Sequence, residues 1–287
     1  MIGLEKKQTP GSYTAAACSD DTARATVLAI TSGKGGVGKT NIAANLSVSL
    51  AANNQRVVLL DADLGLGNLD VLMNIQTRYN LSHVVSGKRS LEQITHVGPC
   101  GVEVICGGSG IESLANLSHF QRQRLLDEMQ GLQNRSDIIV IDTGAGIHSS
   151  VIAFCLAADQ TLVVTTPEPT AITDAYAMIK VLSSQNYAGR ISLLVNMAES
   201  LAEGKKVYRQ IAEVAGRFLN RSVYEAGVLC RDAHLLQSVR RREPVIRAFP
   251  KADISNALKV ISNRLTQGTR TQSNREGFFR KVANWFF

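Results

Sequence analysis

Apolar residues in this chain fall in short unbroken runs separated by longer stretches with helical spacing. "VLAITS", "RVVLLDAD", "VEVICGG", "DIIVIDTG", "QTLVVTTP", "RISLLVNM" and "SVYEAGVL" each read as a strand. None of these runs alternates apolar with polar, so each predicts a strand buried on both faces. Between them, "TNIAANLSVSLAANN" and the segments 118–132, 149–158, 170–185, 203–219 and 232–240 carry helical spacing, and a last helix is expected around 254–266. Strands alternating with helices predict an α/β fold: a mostly parallel twisted sheet with helices on both faces.

The ends of the chain break this pattern. Residues 1–25 lack sustained periodicity and read as a flexible arm, leaving 26–266 as one domain. "TQGTRTQSNRE" has no core residues, so 267–275 reads as a linker to a terminal helix at 276–287. In "REGFFRKVANWFF", Phe278, Phe279, Val282, Trp285 and Phe286 form a single helical stripe, flanked by Arg275, Arg280 and Lys281. Aromatics on one face and bases on another suit an anionic lipid interface. Attachment by one such helix is expected to be weak, and two in a dimer would gain avidity. A terminal helix packed on its own domain is the competing reading, and the polar linker argues against it.

Composition sharpens this picture in three places. Aromatics are only 5% of the chain against 45% hydrophobic residues, which argues against a β-sandwich and suits helices on a Val/Ile/Leu sheet. The formal charge of +7 is uneven, because residues 205–287 hold 17 Lys/Arg against 6 Asp/Glu. That end is suited to a polyanion, either a membrane surface or nucleic acid, although a solvated basic face fits equally. The aromatic tail favours membrane over nucleic acid, since a phosphate backbone gives Phe and Trp nothing to bury against. Cys18, Cys100, Cys106, Cys155 and Cys230 contain no C-x-x-C pair, which argues against a zinc site or a disulfide framework. No signal peptide and no apolar run of about 18 residues are evident, so the expected location is cytoplasmic.

Candidate chemistry starts at "GKGGVGKT". Gly33, Gly38, Lys39 and Thr40 satisfy G-x-x-x-x-G-K-[ST] between a strand and a helix. Backbone N–H groups of Gly33, Gly35, Gly36, Val37 and Gly38, continuing to Asn41, would wrap phosphate oxygens at a helix N-terminus. Lys39 would reach the β- and γ-phosphates, and Thr40 would ligate Mg²⁺. The expected cofactors are ATP or ADP with Mg²⁺. Asp61 and Asp63, two apart at the end of a strand, point to one side of the sheet's carboxyl-end crevice. Asp142 follows four apolar residues and is placed to hold a Mg²⁺-bound water. Asn196 ends "SLLVN", where an amide could read an adenine edge or simply cap a turn.

Lys34 is a second lysine in the loop. The chain at the loop's start points outward, so Lys34 is badly placed for its own γ-phosphate and better placed for that of a second copy. "KGGVGKT" resembles the deviant Walker A motif of the MinD/ParA ATPases. That resemblance implies a homodimer formed with ATP, in which Lys34 acts across the interface as an arginine finger does. It also implies that Asp63 polarises the attacking water and that Asp61 contacts the Mg²⁺ water shell. The implied catalytic set is thus Lys34, Lys39 and Asp63, with Thr40, Asp61 and Asp142 at the metal. Asn196 is supported as an adenine contact, and Arg231 and Asp232 lie where relatives often touch the base. Many MinD relatives carry proline where Gly144 stands, so the loop containing Gly144 and Gly146 is expected to be looser. Asp174 corresponds to a position near the dimer and partner surface, and a plain helix-surface charge explains it as well.

The stretches "DTGAGI", "VTTPEPTAITDAYAMIK" and "LLVNMA" resemble the flagellar-number-regulating MinD-like ATPases, the FlhG, FleN or YlxH group. The implied partners are an SRP-type GTPase (FlhF), flagellar switch components and regulatory proteins, at the inner face of the cell membrane. "DDTARAT" keeps only the leading Asp of the D-Q-A-x-x-L-R segment that stimulates the partner GTPase. A MinD-type division-site regulator and a ParA-type DNA-partition ATPase share the nucleotide motifs. An iron–sulfur carrier on the same fold would need converging cysteines, which the sequence does not offer.

Overall fold

The computed structural model describes residues 24–63, 68–107, 119–267 and 277–286. Residues 1–23 of the proposed N-terminal arm and 268–275 of the proposed linker lie outside the described residues.

Eight strands form one sheet: β1 (Thr26–Ser32), β2 (Val57–Ala62), β3 (Thr95–Val97), β4 (Glu103–Ile105), β5 (Ile138–Ala145), β6 (Gln160–Thr165), β7 (Arg190–Ala198) and β8 (Tyr224–Cys230). Their spatial order is β3-β4-β2-β5-β1-β6-β7-β8, and every pair is parallel except β3 with β4. All seven strands expected from the apolar runs are present. β3 was not expected: its three residues, with Val97 exposed, are too few to register as a run.

The helices are α1 (Lys39–Ala52), α2 (Leu69–Met73), α3 (Leu81–Val85), α4 (Leu91–Ile94), α5 (His119–Arg135), α6 (Ser149–Ala157), α7 (Pro169–Ser184), α8 (Leu201–Leu219), α9 (Ala233–Arg240), α10 (Val245–Ala248), α11 (Asp253–Thr266) and α12 (Phe278–Phe286). The short α3 and α4 have too few residues to show helical spacing and depend on local caps. Asn80 accepts from Ser82 N–H, and Ser90 accepts from Gln93 N–H.

Strand periodicity divides the interior in two. Val27 and Ala29 of β1, with Ile139 and Ile141 of β5, face one core together with Leu132 of α5, Phe154 of α6, Met178 of α7 and Ile211 of α8. Leu28 and Ile30, with Val140, face the other, against Leu46 of α1 and Leu258 of α11. This two-sided burial is why the strands read as continuous apolar runs.

The terminal helix departs from expectation. Phe278 and Phe279 are 3% and 4% exposed, and Val282 is also buried. They join the core on the α5–α6 side, where the rings of Phe278 and Phe154 stack with centroids 6.4 Å apart. The described part of the stripe, Phe278, Phe279 and Val282, is thus packed on its own domain in this conformation instead of forming a free lipid-facing surface. Phe154, Leu126 and Met129 lie on the partner helices, more than a hundred residues earlier in the chain. The side chains of Trp285 and Phe286 lie outside the described residues.

Candidate functional site

The carboxyl ends of β1, β2 and β5 converge beside the loop that joins β1 to α1. Gly36 and Gly38 adopt φ of 78° and 92°, a left-handed conformation that side chains rarely tolerate. This turns the loop so that α1 starts at Lys39, with its unpaired N–H groups facing the crevice. Gly33 is required for a different reason. A Cβ there would lie 2.2 Å from the backbone oxygen of Asp174, so α7 rests directly on the start of the loop.

Three acidic side chains sit around this loop. Asp61 and Asp142 are register partners on adjacent strands, 2% and 1% exposed. Burial, with smaller contributions from the charges of Asp142, Asp63 and Asp70, pushes the Asp61 carboxyl up to about 7 against the backbone N–H of Asp63, which lowers it. Burial pushes Asp142 up to about 6, against the Thr40 hydroxyl and Lys39, which lower it. Asp61 Oδ1 accepts the backbone N–H of Asp63 at 3.0 Å, so the two aspartates are fixed relative to each other. Asp63 lies next to β5: a Cβ on Gly144 would be 3.6 Å from Asp63 Oδ1. Asp142 Oδ1 is buried with no hydrogen-bond partner.

A buried carboxylate oxygen with no partner costs free energy and marks a place where a donor or cation belongs. Here it stands among hard oxygen donors, next to Thr40, the donor set that Mg²⁺ takes when it also binds phosphates and water. The residues present therefore fit Mg²⁺: Thr40 would hold it directly, with Asp61 and Asp142 holding its waters. Lys39, largely buried, lies close enough to Asp142 to lower its pKa.

Lys34 points away from this group. Its Nζ donates to Glu168 Oε2 at 2.6 Å and to Thr170 Oγ1 at 3.1 Å, at the N-terminal end of α7. The side chain is 38% exposed. Lys34 is thus held outside its own loop, as its place in the sequence suggested. Glu168 and Thr170 were missed as its partners. The signal available was the turn "PEPT" that opens α7, which places a carboxylate just before a proline-fixed helix start and a hydroxyl in its first turn.

Candidate base contacts separate into three cases. Asn196 is 3% exposed, and its Nδ2 donates to the carbonyl of Val37 inside the loop at 2.8 Å. Arg231 forms an exposed ion pair with Glu199 at 2.9 Å and helps line a cavity of about 90 Å³ that includes Thr166, Glu168 and Met197. Asp232 caps α9: its Oδ1 accepts from His234 N–H and its Oδ2 from Ile254 N–H, which ties α9 to α11. Asp232 was expected near the base, and in this conformation both of its oxygens are engaged with backbone. Asn41 Oδ1 is buried without a partner, and its carbonyl accepts from Asn45 Nδ2. Asp174 is half-buried on α7, against Gly33.

Cys106 and Cys155 are buried in the two cores, and desolvation pushes both thiols up to about 12. Among the described residues, no group of three or more His, Cys, Asp or Glu side chains could hold a metal ion by itself. No described helix is long and apolar enough to cross a membrane.

Comparison with known proteins places this arrangement. A family model described as ParA, NUBPL iron-transfer P-loop NTPase, matches residues 24–266. The antiactivator FleN of Pseudomonas aeruginosa is 39% identical over 239 residues, covering 83% of this chain and 85% of FleN. The flagellum site-determining protein YlxH of Helicobacter pylori is 35% identical, covering 90% of each chain. Among solved structures, the MinC:MinD cell division complex of Aquifex aeolicus superposes with a TM-score of 0.67 at 27% identity, covering 84% of this chain and 96% of that one.

Proposed function

This chain belongs to the ParA/MinD family of P-loop NTPases, and from that we propose that it is an ATP-hydrolysing switch that regulates the number or placement of flagella. The observation that carries the mechanism is the split between its two loop lysines. Lys39 lies near the buried Asp142, while Lys34 is held outside on Glu168 and Thr170. The flagellar part is supported by the similarity to YlxH, named as flagellum site-determining, and to FleN, named as an antiactivator.

In this reading the loop amides and Lys39 bind the β- and γ-phosphates, and Asn41 lies beside them. Mg²⁺, when bound, neutralises charge on the phosphate oxygens as a Lewis acid. Thr40, Asp61 and Asp142 would keep it in place, and its charge would favour the ionised form of the two carboxylates by reversing the penalty of their burial. Asp63 orients the attacking water. Lys34 leaves Glu168 and crosses to the nucleotide of a second copy, so turnover depends on the homodimer.

Membrane attachment belongs to the same cycle. Phe278, Phe279 and Val282 are covered by α5 and α6. To meet anionic lipid, α12 has to leave that surface, which costs about 5–9 kcal/mol for three buried apolar side chains as an upper bound. Their insertion into lipid recovers a similar amount, so the bases and the avidity of two tails decide the balance. The protein would then sit in the cytoplasm and bind the inner face of the membrane reversibly. Proposed protein partners are an FlhF-type GTPase and flagellar switch or regulatory proteins.

The test is light scattering with liposome flotation, in MgADP and in MgATP. The expected result is monomer in ADP and dimer in ATP, with flotation on anionic vesicles only in ATP. A chain that hydrolyses ATP as a monomer with Lys34 replaced would overturn the trans role of Lys34. Equal flotation in both nucleotides would overturn the coupling to α12.

A further inference from the structure

α12 meets the rest of the domain in two ways. Its apolar side chains join the core against α5 and α6, and its first residues lie over a cavity of about 200 Å³. This cavity is at the opposite end of the sheet from the phosphate loop, since it opens beside Arg24, just before β1, whereas the loop follows β1. Its walls come from α5, from the entrance to β1 and from the start of α12.

One wall is fixed to the domain. Ala25 N–H donates to Gln133 O at 3.1 Å, which ties the entrance of β1 to α5. Arg24 Nη2 donates to Gln133 Oε1 at 2.7 Å, and Gln133 is buried. Burial lowers the pKa of this guanidinium, against the charge of Asp159, which raises it. A cation partly stripped of water gains from a nearby anion.

The other wall arrives with α12. Gly277 lies directly over the Arg24–Gln133 pair: a Cβ there would be 2.5 Å from Arg24 Nη2 and 3.5 Å from Gln133 Oε1. Three residues on, Arg280 lines the same cavity and has no ion-pair or hydrogen-bond partner among the described residues. Asp127 also lines it, and its Oδ1 accepts from Gln123 Nε2 at 2.8 Å. Two guanidiniums from separate elements thus face one space with a single carboxylate among the described residues that line it.

We propose that this cavity binds a phosphate group between Arg24 and Arg280, and that the bound group holds α12 on the domain. A planar carboxylate is matched by the fork of one guanidinium, whereas a tetrahedral phosphate has oxygens enough for two. The volume takes a phosphate group with several waters. Because Arg280 belongs to α12, the site is complete only while that helix is docked. A ligand that binds only the docked state disfavours release by the factor 1 + [L]/Kd, about tenfold at ten times Kd. The site rests on the docking of α12 alone; its effect on attachment rests on the membrane reading above.

Calorimetry on the full chain tests the site, with MgADP saturating so that the phosphate loop is occupied. The probes are inorganic phosphate and glycerol 3-phosphate. One site per chain is expected, weakened about tenfold or more by Arg24→Gln and by Arg280→Gln. Lys281→Gln removes a base of the same helix outside the cavity and should leave binding unchanged. Arg280 is exposed, so its variant carries the test if Arg24→Gln does not fold. Monomeric dihexanoyl phosphatidylglycerol then separates the sources: displacement of phosphate assigns the site to a lipid headgroup, and no displacement assigns it to free phosphate. In MgATP at constant ionic strength, phosphate at ten times its Kd should weaken binding to phosphatidylglycerol vesicles about tenfold in the parent, and leave Arg24→Gln unaffected. No binding to the MgADP-loaded chain, or equal loss in Lys281→Gln, would overturn the site. Unchanged vesicle binding with phosphate bound would overturn its hold on α12. A parent chain that binds vesicles in neither nucleotide would refute the membrane reading, and the calorimetry would still decide the site.

Discussion

Nucleotide-free, this protein should be held below its attainable stability by its own active-site carboxylates, and Asp61→Asn should reveal it. Asp61 has its carboxyl raised from 3.8 to about 7, chiefly by burial. Between those values the folded state binds more protons than the unfolded one, so stability falls as pH rises through the window and the full cost is present above pH 7. At 1.36 kcal/mol per pH unit, that cost is about 4 kcal/mol at pH 8. Asparagine removes the charge, and its Oδ1 can still accept the Asp63 N–H. It also buries an amide N–H₂ with no partner, a penalty of about 1–3 kcal/mol. The net expectation is a gain of about 1–3 kcal/mol at pH 8, and a loss near pH 4, where Asp61 is already protonated. A domain of this size gains about 2–4 °C per kcal/mol, so the variant should melt several degrees above the parent at pH 8 and below it at pH 4. The assay is thermal unfolding in EDTA without nucleotide, from pH 4 to pH 8.5. With MgADP the order at pH 8 should reverse, since only the parent offers the charge that Mg²⁺ stabilises. A variant that melts at or below the parent across the whole range would refute the claim that desolvation dominates at Asp61.

Lys34→Ala should bind MgATP within about threefold of the parent yet form no ATP-dependent dimer by light scattering, since its contacts lie on Glu168 and Thr170. Asp63→Ala should form the dimer and remain trapped in it, and rapid phosphate release by that variant would refute its water-orienting role. Gly33→Ala should abolish nucleotide binding in a filter or calorimetric assay, because its Cβ would overlap the α7 backbone at Asp174 and the loop would have to move. Phe278→Ala should cost about 3–5 kcal/mol if α12 is docked in solution, as truncating a buried aromatic does, and unchanged urea unfolding would show the helix free.

The sequence by itself determined the sheet, the phosphate loop and the acidic strand ends. Those features are encoded over a few residues: an unbroken apolar run for a strand covered on both faces, a glycine where φ is positive, a carboxylate where a strand stops. It also indicated that Lys34 points outward, because the backbone direction at the loop's start is itself local. What only the tertiary structure decided depends on partners distant in the chain. Glu168 and Thr170 hold Lys34 from more than 130 residues away. Asn196, which the sequence offers as an adenine contact or a turn cap, donates to Val37, 159 residues earlier. The aromatic stripe of α12 announces an apolar surface to be covered, and its composition is the same whether lipid or protein covers it. Phe154 and its neighbours on α5 and α6 supply that cover here. Periodicity reports that a face must be buried; the identity of what buries it is set by which distant segments the fold brings alongside.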